Sequence, residues 1–477
     1  MSAQHAFETT ENTTRDGLVR SLSHRQMTMI GLGSALGTGL FLGSASAIST
    51  AGPAVVVSYL LGALLIAVIA TALGEMTAVH PIRGSFGAIA RQYLGPWAGF
   101  VARWSYWAGA VIAIGGEVMA AALYLRFWWP QLPLAATIVV LACALVIINL
   151  VSVRAFGVTE FWLSGIKVTA LVVFLLAGAL LVFVGVPDQP AIGFGHLTEH
   201  GGFLPQGPAS VWVALAVVMF AFVGFETVSI SAAETPDPVR SIRTSTRALV
   251  WRLALFYVLA VGLVVTLSPW QEVASSDGDV ESSPFVRVFA SLGVPAAASV
   301  TNVIVLVAAL SAANANLYGA SRLMHSLAHD GAAPAPLAVL SRRGVPVRAL
   351  LVSASGLLIA ATLAATDVGN VFTLLVALAT FAVLIVWAII LATYLVFRRR
   401  RGNLPAEPGY LRLWGGSVTA WLGIAGLLGV VATAFVVPDM QKAAATGLVF
   451  VVVLLAAHGT TTRRRRPLSS DSTSESP

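Results

Sequence analysis

Residues 31–44 read Gly-Leu-Gly-Ser-Ala-Leu-Gly-Thr-Gly-Leu-Phe-Leu-Gly-Ser, and they decide the fold. The stretch is apolar enough for a membrane, yet it holds three glycines within seven residues, where a spanning helix favours leucine or alanine. A second apolar stretch, residues 219–229, carries Gly224 and Glu226 near its middle. Glycine-interrupted helices at corresponding places in two halves of a chain indicate an inverted-repeat transporter with a site at the membrane midplane. Packing through small residues is the simpler alternative for either stretch alone.

The composition favours a membrane protein. Of the 477 residues, 57% are hydrophobic and 10% are charged, whereas soluble proteins have roughly 25% charged residues. The apolar residues form runs of spanning length, so we predict an all-α integral membrane protein with about twelve transmembrane helices. The predicted spans are 27–48, 54–78, 98–128, 133–152, 161–184, 208–232, 248–267, 295–325, 348–365, 370–397, 414–436 and 440–458. The single cysteine, Cys143, excludes an intramolecular disulfide framework and a cysteine-based metal site.

The basic residues set the expected orientation. The net charge is +7, and arginines concentrate in alternate loops and at both ends of the chain. By the positive-inside rule, both termini are cytoplasmic, and lipid contact explains these arginines better than nucleic-acid binding. Residues 1–26 show no cleavable signal peptide, so we expect them to remain a cytoplasmic tail. The predicted organisation is a 1–26 tail, a 27–458 transporter domain with repeats at 27–184 and 208–397 and two further helices at 414–458, and a 459–477 tail.

The two interrupted stretches suit a ligand with charges of both signs. A helix that breaks and restarts exposes backbone N–H groups that favour an anion, while the carbonyl groups released at a break accept from a cation. We therefore predict a small amino acid or a close relative as the ligand. The predicted substrate-site residues are Ser34, Ala35, Gly37, Thr38, Gly39, Phe220, Ala221, Val223, Glu117 and Asn316. Asn316 either lines this site or bonds neighbouring helices.

Four ionisable residues, Glu75, Glu117, Lys167 and Glu226, fall in or near predicted spans. Each is a functional candidate, because a charge inside a bilayer is costly unless it is paired or hydrated. Glu75 lies near the end of its span, where capping or pairing with Arg83 or Arg91 is expected. Glu117 either binds a substrate amine, or it pairs with Arg126 or bonds a neighbouring polar helix.

The chain resembles bacterial amino-acid permeases of the amino-acid/polyamine/organocation superfamily. Besides residues 31–44, the resemblance rests on motifs in the same order along the chain. These are Ala72-Leu-Gly-Glu-Met76, Gly84-Ser-Phe86, Gly95-Pro-Trp-Ala-Gly-Phe100, Glu160-Phe-Trp162, Ile166-Lys-Val168, Ala232-Ala-Glu-Thr-Pro-Asp-Pro238, Ser321-Arg322, Asp330-Gly331 and Ala333-Pro334. The resemblance implies a leucine-transporter-like five-plus-five inverted repeat with two added helices, a bacterial cytoplasmic membrane, and amino-acid uptake, usually with protons. Arg103 and the Gly157-Val-Thr-Glu160 segment depart from the family pattern, away from the proposed pocket.

The resemblance also implies roles for three side chains. Lys167 is similar to a lysine that relatives place against the first helix, where sodium-driven relatives hold a cation, and it becomes a proton-coupling candidate. The alternative is a lysine that extends to the membrane surface. Glu226 is similar to a glutamate of relatives and is the second coupling or gating candidate, with structural pairing as the alternative. Phe220 resembles an aromatic residue that closes over substrate, although packing explains it equally well.

We expect a secondary transporter that imports amino acids, neutral L-amino acids above all, by proton symport. An amino-acid exchanger, a gamma-aminobutyrate permease and a cationic amino-acid permease remain alternatives. An enzyme, a channel and a sensor are disfavoured, since we find no nucleotide-binding loop or nucleophile motif, charges are sparse and the tails are short. The eight histidines form no convincing ligand set, so neither a metal nor a cofactor is expected beyond the coupling proton. Oligomeric state cannot be predicted from these features.

Overall fold

A computed structural model describes residues 22–186, 189–274, 283, 285–286, 297–365, 371–401, 411–436 and 438–464. Nearly all of these residues are helical, apart from a short antiparallel pair of strands, β1 (Gly185–Val186) and β2 (Gln189–Pro190). The predicted all-α class is confirmed. Most of the two predicted tails lies outside the described residues.

The helices account for every predicted span. In chain order they are α1 (His24–Ala35), α2 (Thr38–Phe41), α3 (Gly43–Ala51), α4 (Val55–Val79), α5 (Ser85–Leu94), α6 (Pro96–Arg126), α7 (Leu134–Val151), α8 (Val153–Phe183), α9 (Ala209–Ala221), α10 (Thr227–Ser231), α11 (Pro238–Leu267), α12 (Trp270–Ala274), α13 (Ala297–His329), α14 (Val347–Ser353), α15 (Ser355–Ala364), α16 (Val371–Arg401), α17 (Gly416–Val436) and α18 (Pro438–Arg464). Within the described ranges, nine helical segments are long and apolar enough to cross a membrane. The remaining predicted spans correspond to the broken helices α1–α3 and α9–α10 and to α18.

Side-chain caps explain where two important helices begin. Ser23 accepts from the backbone of Gln26, and the Gln26 side chain reaches back to Ser23, which closes a capping box before α1. Ser152 accepts from a backbone N–H in the first turn of α8. Helix α8 therefore starts directly after Ser152, well before the predicted span 161–184. As a result, Glu160 lies inside the helix rather than in the preceding loop.

Helices α6 and α13 form the centre of the bundle and pack along each other. Most of their side chains are buried, whereas α7 and α17 are largely exposed. Exposed apolar residues on outer helices, such as Val140 (68%), Leu176 (67%) and Leu422 (67%), suit a lipid environment. The broken helix α1 packs between α8, α11 and α13, and α9 packs against α3 and α4. The two interrupted stretches are thus held against the centre of the molecule.

A buried ion pair joins the start of α6 to the end of α13. Arg103 is 1% exposed, and its guanidinium donates to Asp330 at 2.7 Å and to Ser326 at 3.1 Å. Burial alone would raise the pKa of Asp330, but the Arg103 guanidinium holds that pKa below its usual value. The carboxylate therefore stays charged at neutral pH, and Arg103, which departs from the family pattern, stabilises helix packing away from the breaks.

Glu75 has partners that the sequence did not predict. Its carboxylate accepts from the Tyr394 hydroxyl at 2.8 Å, from the Leu413 backbone N–H at 2.9 Å and from Arg398 at 3.2 Å. Arg91, one of the two predicted partners, pairs with the carboxylate just after α13 instead. The predicted pairing of Glu75 with loop arginines is therefore wrong, because the last turns of α16 bring a closer arginine and tyrosine to it.

A second buried pair fixes the end of the broken helix α10. Glu234 follows α10 and is 1% exposed. Its carboxylate accepts from Arg322 at 3.1 Å and from the Tyr318 hydroxyl at 2.7 Å, both on α13. The Arg322 guanidinium also lies 3.9 Å from the centre of the Tyr318 ring. This cluster connects the second broken helix to the central helix α13.

Candidate functional site

The first interruption lies between the end of α1 at Ala35 and the start of α2 at Thr38. Carbonyl groups freed there face α8, where Lys167 is fully buried. The Lys167 ammonium donates to the Gly33 carbonyl at 2.5 Å and to the Leu36 carbonyl at 3.1 Å. Lys167 therefore lies against the broken first helix, as the resemblance implies, and does not extend to the membrane surface.

The second interruption lies between Ala221, the last residue of α9, and Thr227, the first of α10. Gly224 has a φ of +111°, a backbone conformation that residues with a Cβ rarely adopt. A Cβ at this position would also lie 2.6 Å from the Ser34 carbonyl oxygen. Glycine is therefore required here, both for the turn and for the close approach of the first interrupted stretch.

One tyrosine joins the two interruptions. The Tyr257 hydroxyl, on α11, lies 2.6 Å from the carbonyl oxygens of both Ala35 and Ala221. Next to it, the hydroxyl groups of Ser34 and Thr227 are 3.0 Å apart. The predicted breaks thus exist, and they face each other across a short distance.

A small cavity lies between the breaks. Its lining comprises Ser34, Ala35, Gly37, Gly39, Ala113, Glu117, Phe220, Ala221, Val223 and Asn316. These are all of the predicted substrate-site residues except Thr38, together with Ala113 from α6. The open volume is about 10 Å³, which is about the room needed by one water molecule. A larger ligand requires the lining segments to move apart.

Both hydrogen-bond donors and hydrogen-bond acceptors lie around this cavity. The Thr38 backbone N–H donates to the Glu117 carboxylate, at 3.3 Å to Oε1 and 3.2 Å to Oε2. Asn316 is 4% exposed, and its Oδ1 has no hydrogen-bond partner among the described residues. Of the predicted carbonyl acceptors, Phe220 already accepts from Val223 N–H at 3.1 Å. A cationic group would therefore share that carbonyl group.

The alternative pairing of Glu117 with Arg126 is wrong. The Arg126 guanidinium donates to the Pro130 carbonyl at 3.2 Å, close to the end of α6. Glu117 lies deeper in α6 and faces the cavity. Because the two residues are separated along the helix, the neighbouring group that Glu117 reaches is the Thr38 backbone.

Glu226 lies at the second interruption but outside the cavity lining. Its Oε2 accepts from the Gly224 backbone N–H at 3.0 Å, and its Oε1 accepts from the Trp387 indole. The side chain is fully buried. Glu226 thus bonds the interrupted backbone and connects it to α16.

Glu160 is the functional candidate that the sequence analysis missed. It is fully buried in α8, and its carboxylate accepts from Ser311, from Ser164 at 3.2 Å and from Asn314 at 3.0 Å. Glu160 and Lys167 approach the same residue of the first broken helix: Lys167 donates to the Gly33 carbonyl, and a Cβ added at Gly33 would lie 2.3 Å from the Glu160 Oε1. The available signal is the Glu160-Phe-Trp162 motif, which lies at the edge of the predicted span 161–184 and inside α8 in the structure.

One further cluster lies away from this site. The possible ligand atoms of His196, Glu199 and His200 all lie within 4.8 Å of one another in the loop between α8 and α9. Glu199 is exposed and both histidines are half-buried. The His200 carbonyl accepts from the Trp270 indole of α12 at 3.0 Å, and α12 packs against α3.

Comparison with known proteins gives the family. The profile of the family described as amino acid permease matches residues 26–471. The gamma-aminobutyric acid permease of Bacillus subtilis (strain 168) is 38% identical over 439 residues, which cover 92% of each chain. The uncharacterized amino acid permease YtnA of the same organism is 37% identical over 388 residues, or 80% of this chain and 82% of that one. The aromatic amino acid transport protein AroP of Escherichia coli (strain K12) is 38% identical over 384 residues, or 80% and 83%.

The family match covers nearly the whole chain, including both interruptions and the helices that hold them. The relatives are transporters and not enzymes. They agree with the family that the order of motifs predicted. The chain therefore belongs to the amino acid permease family of the amino-acid/polyamine/organocation superfamily, a family of multi-pass membrane transporters.

Proposed function

We propose that the protein imports neutral amino acids together with protons, by alternating access to the cavity between its broken helices. The observation that carries the proposal is the pair of facing interruptions. The first offers the Thr38 backbone N–H to a carboxylate. The second offers an ammonium the Phe220 carbonyl, shared with the Val223 N–H, beside the Oδ1 of Asn316, which has no hydrogen-bond partner among the described residues. A zwitterion satisfies both ends at once.

The cavity lining favours substrates without an additional charge. Apart from Glu117, the side chains that line it are uncharged, and Ala35, Ala113, Val223 and Phe220 are apolar. Glu117 bonds the Thr38 backbone N–H, the group that we assign to the substrate carboxylate, so it lies at the carboxylate end of the site. The relatives are named for gamma-aminobutyric acid and for aromatic amino acids, all with one carboxyl and one amino group. This chemistry supports the neutral class over the cationic alternative.

We also propose that the protein lies in the bacterial cytoplasmic membrane with both termini in the cytoplasm. The arginine-rich loops support this orientation through the positive-inside rule. Arg240, Arg243 and Arg247, for example, lie together at the start of α11. The small cavity supports alternating access, because the interrupted segments must separate before an amino acid enters.

Uptake by purified protein in liposomes tests the proposal. The panel comprises labelled L-phenylalanine, gamma-aminobutyrate, L-proline, L-alanine and L-lysine, each measured with and without an inward proton gradient. We expect neutral substrates to accumulate only with the gradient and L-lysine not to accumulate. Equal uptake without the gradient that depends on preloaded amino acid would instead identify an exchanger. A lack of uptake of the whole panel would contradict amino-acid import.

Glu226→Gln should change the pH dependence of the transport rate. The amide oxygen can still accept from the Gly224 backbone N–H, but the amide nitrogen cannot accept from the Trp387 indole, and the side chain can no longer ionise. If Glu226 gates the second break, the variant should transport with a flattened pH–rate profile. The measurement is the initial uptake rate at saturating substrate over a pH series.

Glu272→Gln provides the control, since Glu272 lies exposed on α12 and is not part of the cavity lining. It should reproduce the wild-type profile. A Glu226→Gln variant that also reproduces the wild-type profile would leave Glu226 with a structural role only.

A further inference from the structure

Glu117 occupies the backbone N–H group that the proposed function assigns to the substrate carboxylate. Both of its oxygens face the Thr38 N–H, at 3.3 and 3.2 Å. Its side chain is 5% exposed, and a Cβ added at Gly37 would lie 2.5 Å from its Oε1. A carboxylate of the protein thus lies in tight contact with the break, in the place where a substrate carboxylate would bind.

A second observation points to a polar ligand in the same cavity. The Oδ1 of Asn316 is buried and has no hydrogen-bond partner in the part of the chain that the structure describes. Buried polar side-chain atoms are normally paired, and Asn316 lines the cavity beside Glu117. The cavity therefore holds an acceptor ready for a substrate ammonium and a carboxylate that competes with the substrate's own.

The charges that face Glu117 are unbalanced. From α8, Lys167 is the basic group that acts on it, and Lys167 is shared with Glu160. Tyr124 on α6 and Tyr257 on α11 add only hydroxyl groups. From α13 comes the neutral amide of Asn316. Two acids thus share one base before any substrate enters.

An incoming zwitterion adds a further carboxylate beside Glu117. Its net charge is zero, but its carboxylate must approach the Thr38 N–H, where Glu117 already lies. Carboxylates in contact do not both remain ionised, and they share a proton. Glu117 must therefore either leave the site or become protonated when a substrate carboxylate binds, and protonation is the route that leaves no second buried carboxylate charge beside the substrate.

We propose, building on the proposed function, that Glu117 is the proton-binding site of the transport cycle. Ionised Glu117 bonds Thr38 and keeps the first break closed to substrate. When the substrate carboxylate replaces it there, Glu117 takes one proton from the water on the side to which the cavity is open. When substrate leaves on the other side, Glu117 releases that proton and bonds Thr38 again. One proton then moves with each amino acid.

Glu117→Gln separates binding from coupling, because glutamine resembles the protonated acid but cannot release a proton. The probes are labelled L-phenylalanine, gamma-aminobutyrate and L-alanine. For the wild type, we expect affinity to fall by up to roughly tenfold per pH unit as Glu117 ionises. For the variant, we expect affinity to change by less than about twofold over the same pH series, because no proton is linked to binding. The variant should exchange internal for external substrate but not accumulate it with a proton gradient.

Glu272→Gln serves as the matched control and should keep wild-type affinity, exchange and accumulation. The inference is overturned if Glu117→Gln accumulates substrate as the wild type does, or if the folded, monodisperse variant loses exchange. Should Glu117→Gln fail to fold, Glu117→Asp replaces it. Aspartate can still titrate, so retained pH-linked affinity supports the inference and its loss overturns it. A wild-type protein without gradient-driven uptake would refute the proposed function and, with it, this inference.

Discussion

Lys167→Ala is expected to silence transport by lowering gradient-driven uptake by at least about 100-fold. The loss of a single charge-assisted hydrogen bond can account for a factor of this size. The ammonium donates to the Gly33 and Leu36 carbonyl groups, on either side of the end of α1. Alanine removes both bonds, and it also removes the positive charge that acts on buried Glu160. A buried charge left without its partner typically costs roughly 3–5 kcal/mol. The measurement is uptake with and without an inward proton gradient, on protein shown to be folded.

A double substitution separates the charge of Lys167 from a role in proton transfer. Lys167→Met shortens the unbranched side chain by one atom and removes its charge, and adding Glu160→Gln removes the charge that the methionine leaves unpaired. If Lys167 acts mainly as a counter-charge that holds the first break to α8, the double variant should recover folding and part of the exchange activity. If Lys167 itself carries the proton, exchange should recover without accumulation. Unchanged, pH-dependent accumulation in Lys167→Ala would remove Lys167 from the mechanism.

The interrupted helices could be predicted because their cause is local. Glycine weakens a helix wherever it lies, and Gly224 adopts a φ that other residues rarely adopt. Both breaks therefore occur where the sequence places them. The candidate site residues on the broken helices follow from the breaks, since carbonyl and N–H groups near an interruption must find partners outside the helix.

The position of Glu160 could not be predicted in the same way. The residue follows a polar turn and precedes an apolar run, so composition alone starts the span after it. In the structure, the Ser152 cap starts α8 earlier and turns Glu160 toward Ser311 and Asn314 on α13. Because the predicted start of this span is several residues too late, Glu160 falls outside it and is not identified as a buried acid on the same helix as Lys167.

The partners of Glu75 and Glu117 depend on how distant segments pack. Glu75 is reached by Tyr394 and Arg398, which lie more than three hundred residues away in the chain. Glu117 and Thr38 lie on different helices, 79 residues apart. The cost of a charge inside a membrane identifies such residues as important, but the choice among possible partners requires the tertiary structure.

Gly37→Leu is expected to abolish substrate binding and uptake. Gly37 lies in the first interruption, where an added Cβ would be 2.9 Å from the Ala312 Cβ and 2.5 Å from Glu117 Oε1. The rest of a leucine side chain must then enter the cavity, whose open volume is only about 10 Å³. Even a tolerated overpacked residue costs typically 1–3 kcal/mol, which corresponds to a roughly fivefold to 150-fold change in an equilibrium constant. Because this residue would also cover the Thr38 N–H, we expect binding to fall below detection.

Gly165→Leu is the matched control for this substitution. Gly165 lies on α8 near Lys167, and a Cβ added there meets no atom within 4 Å. Both variants place the same side chain in a spanning segment, so loss of binding only in Gly37→Leu would locate the effect at the interruption. Equilibrium binding of the labelled amino-acid panel to the purified variants gives the comparison. Normal affinity in Gly37→Leu would show that the substrate carboxylate does not use the Thr38 N–H, and the competition between substrate and Glu117 would lose its basis.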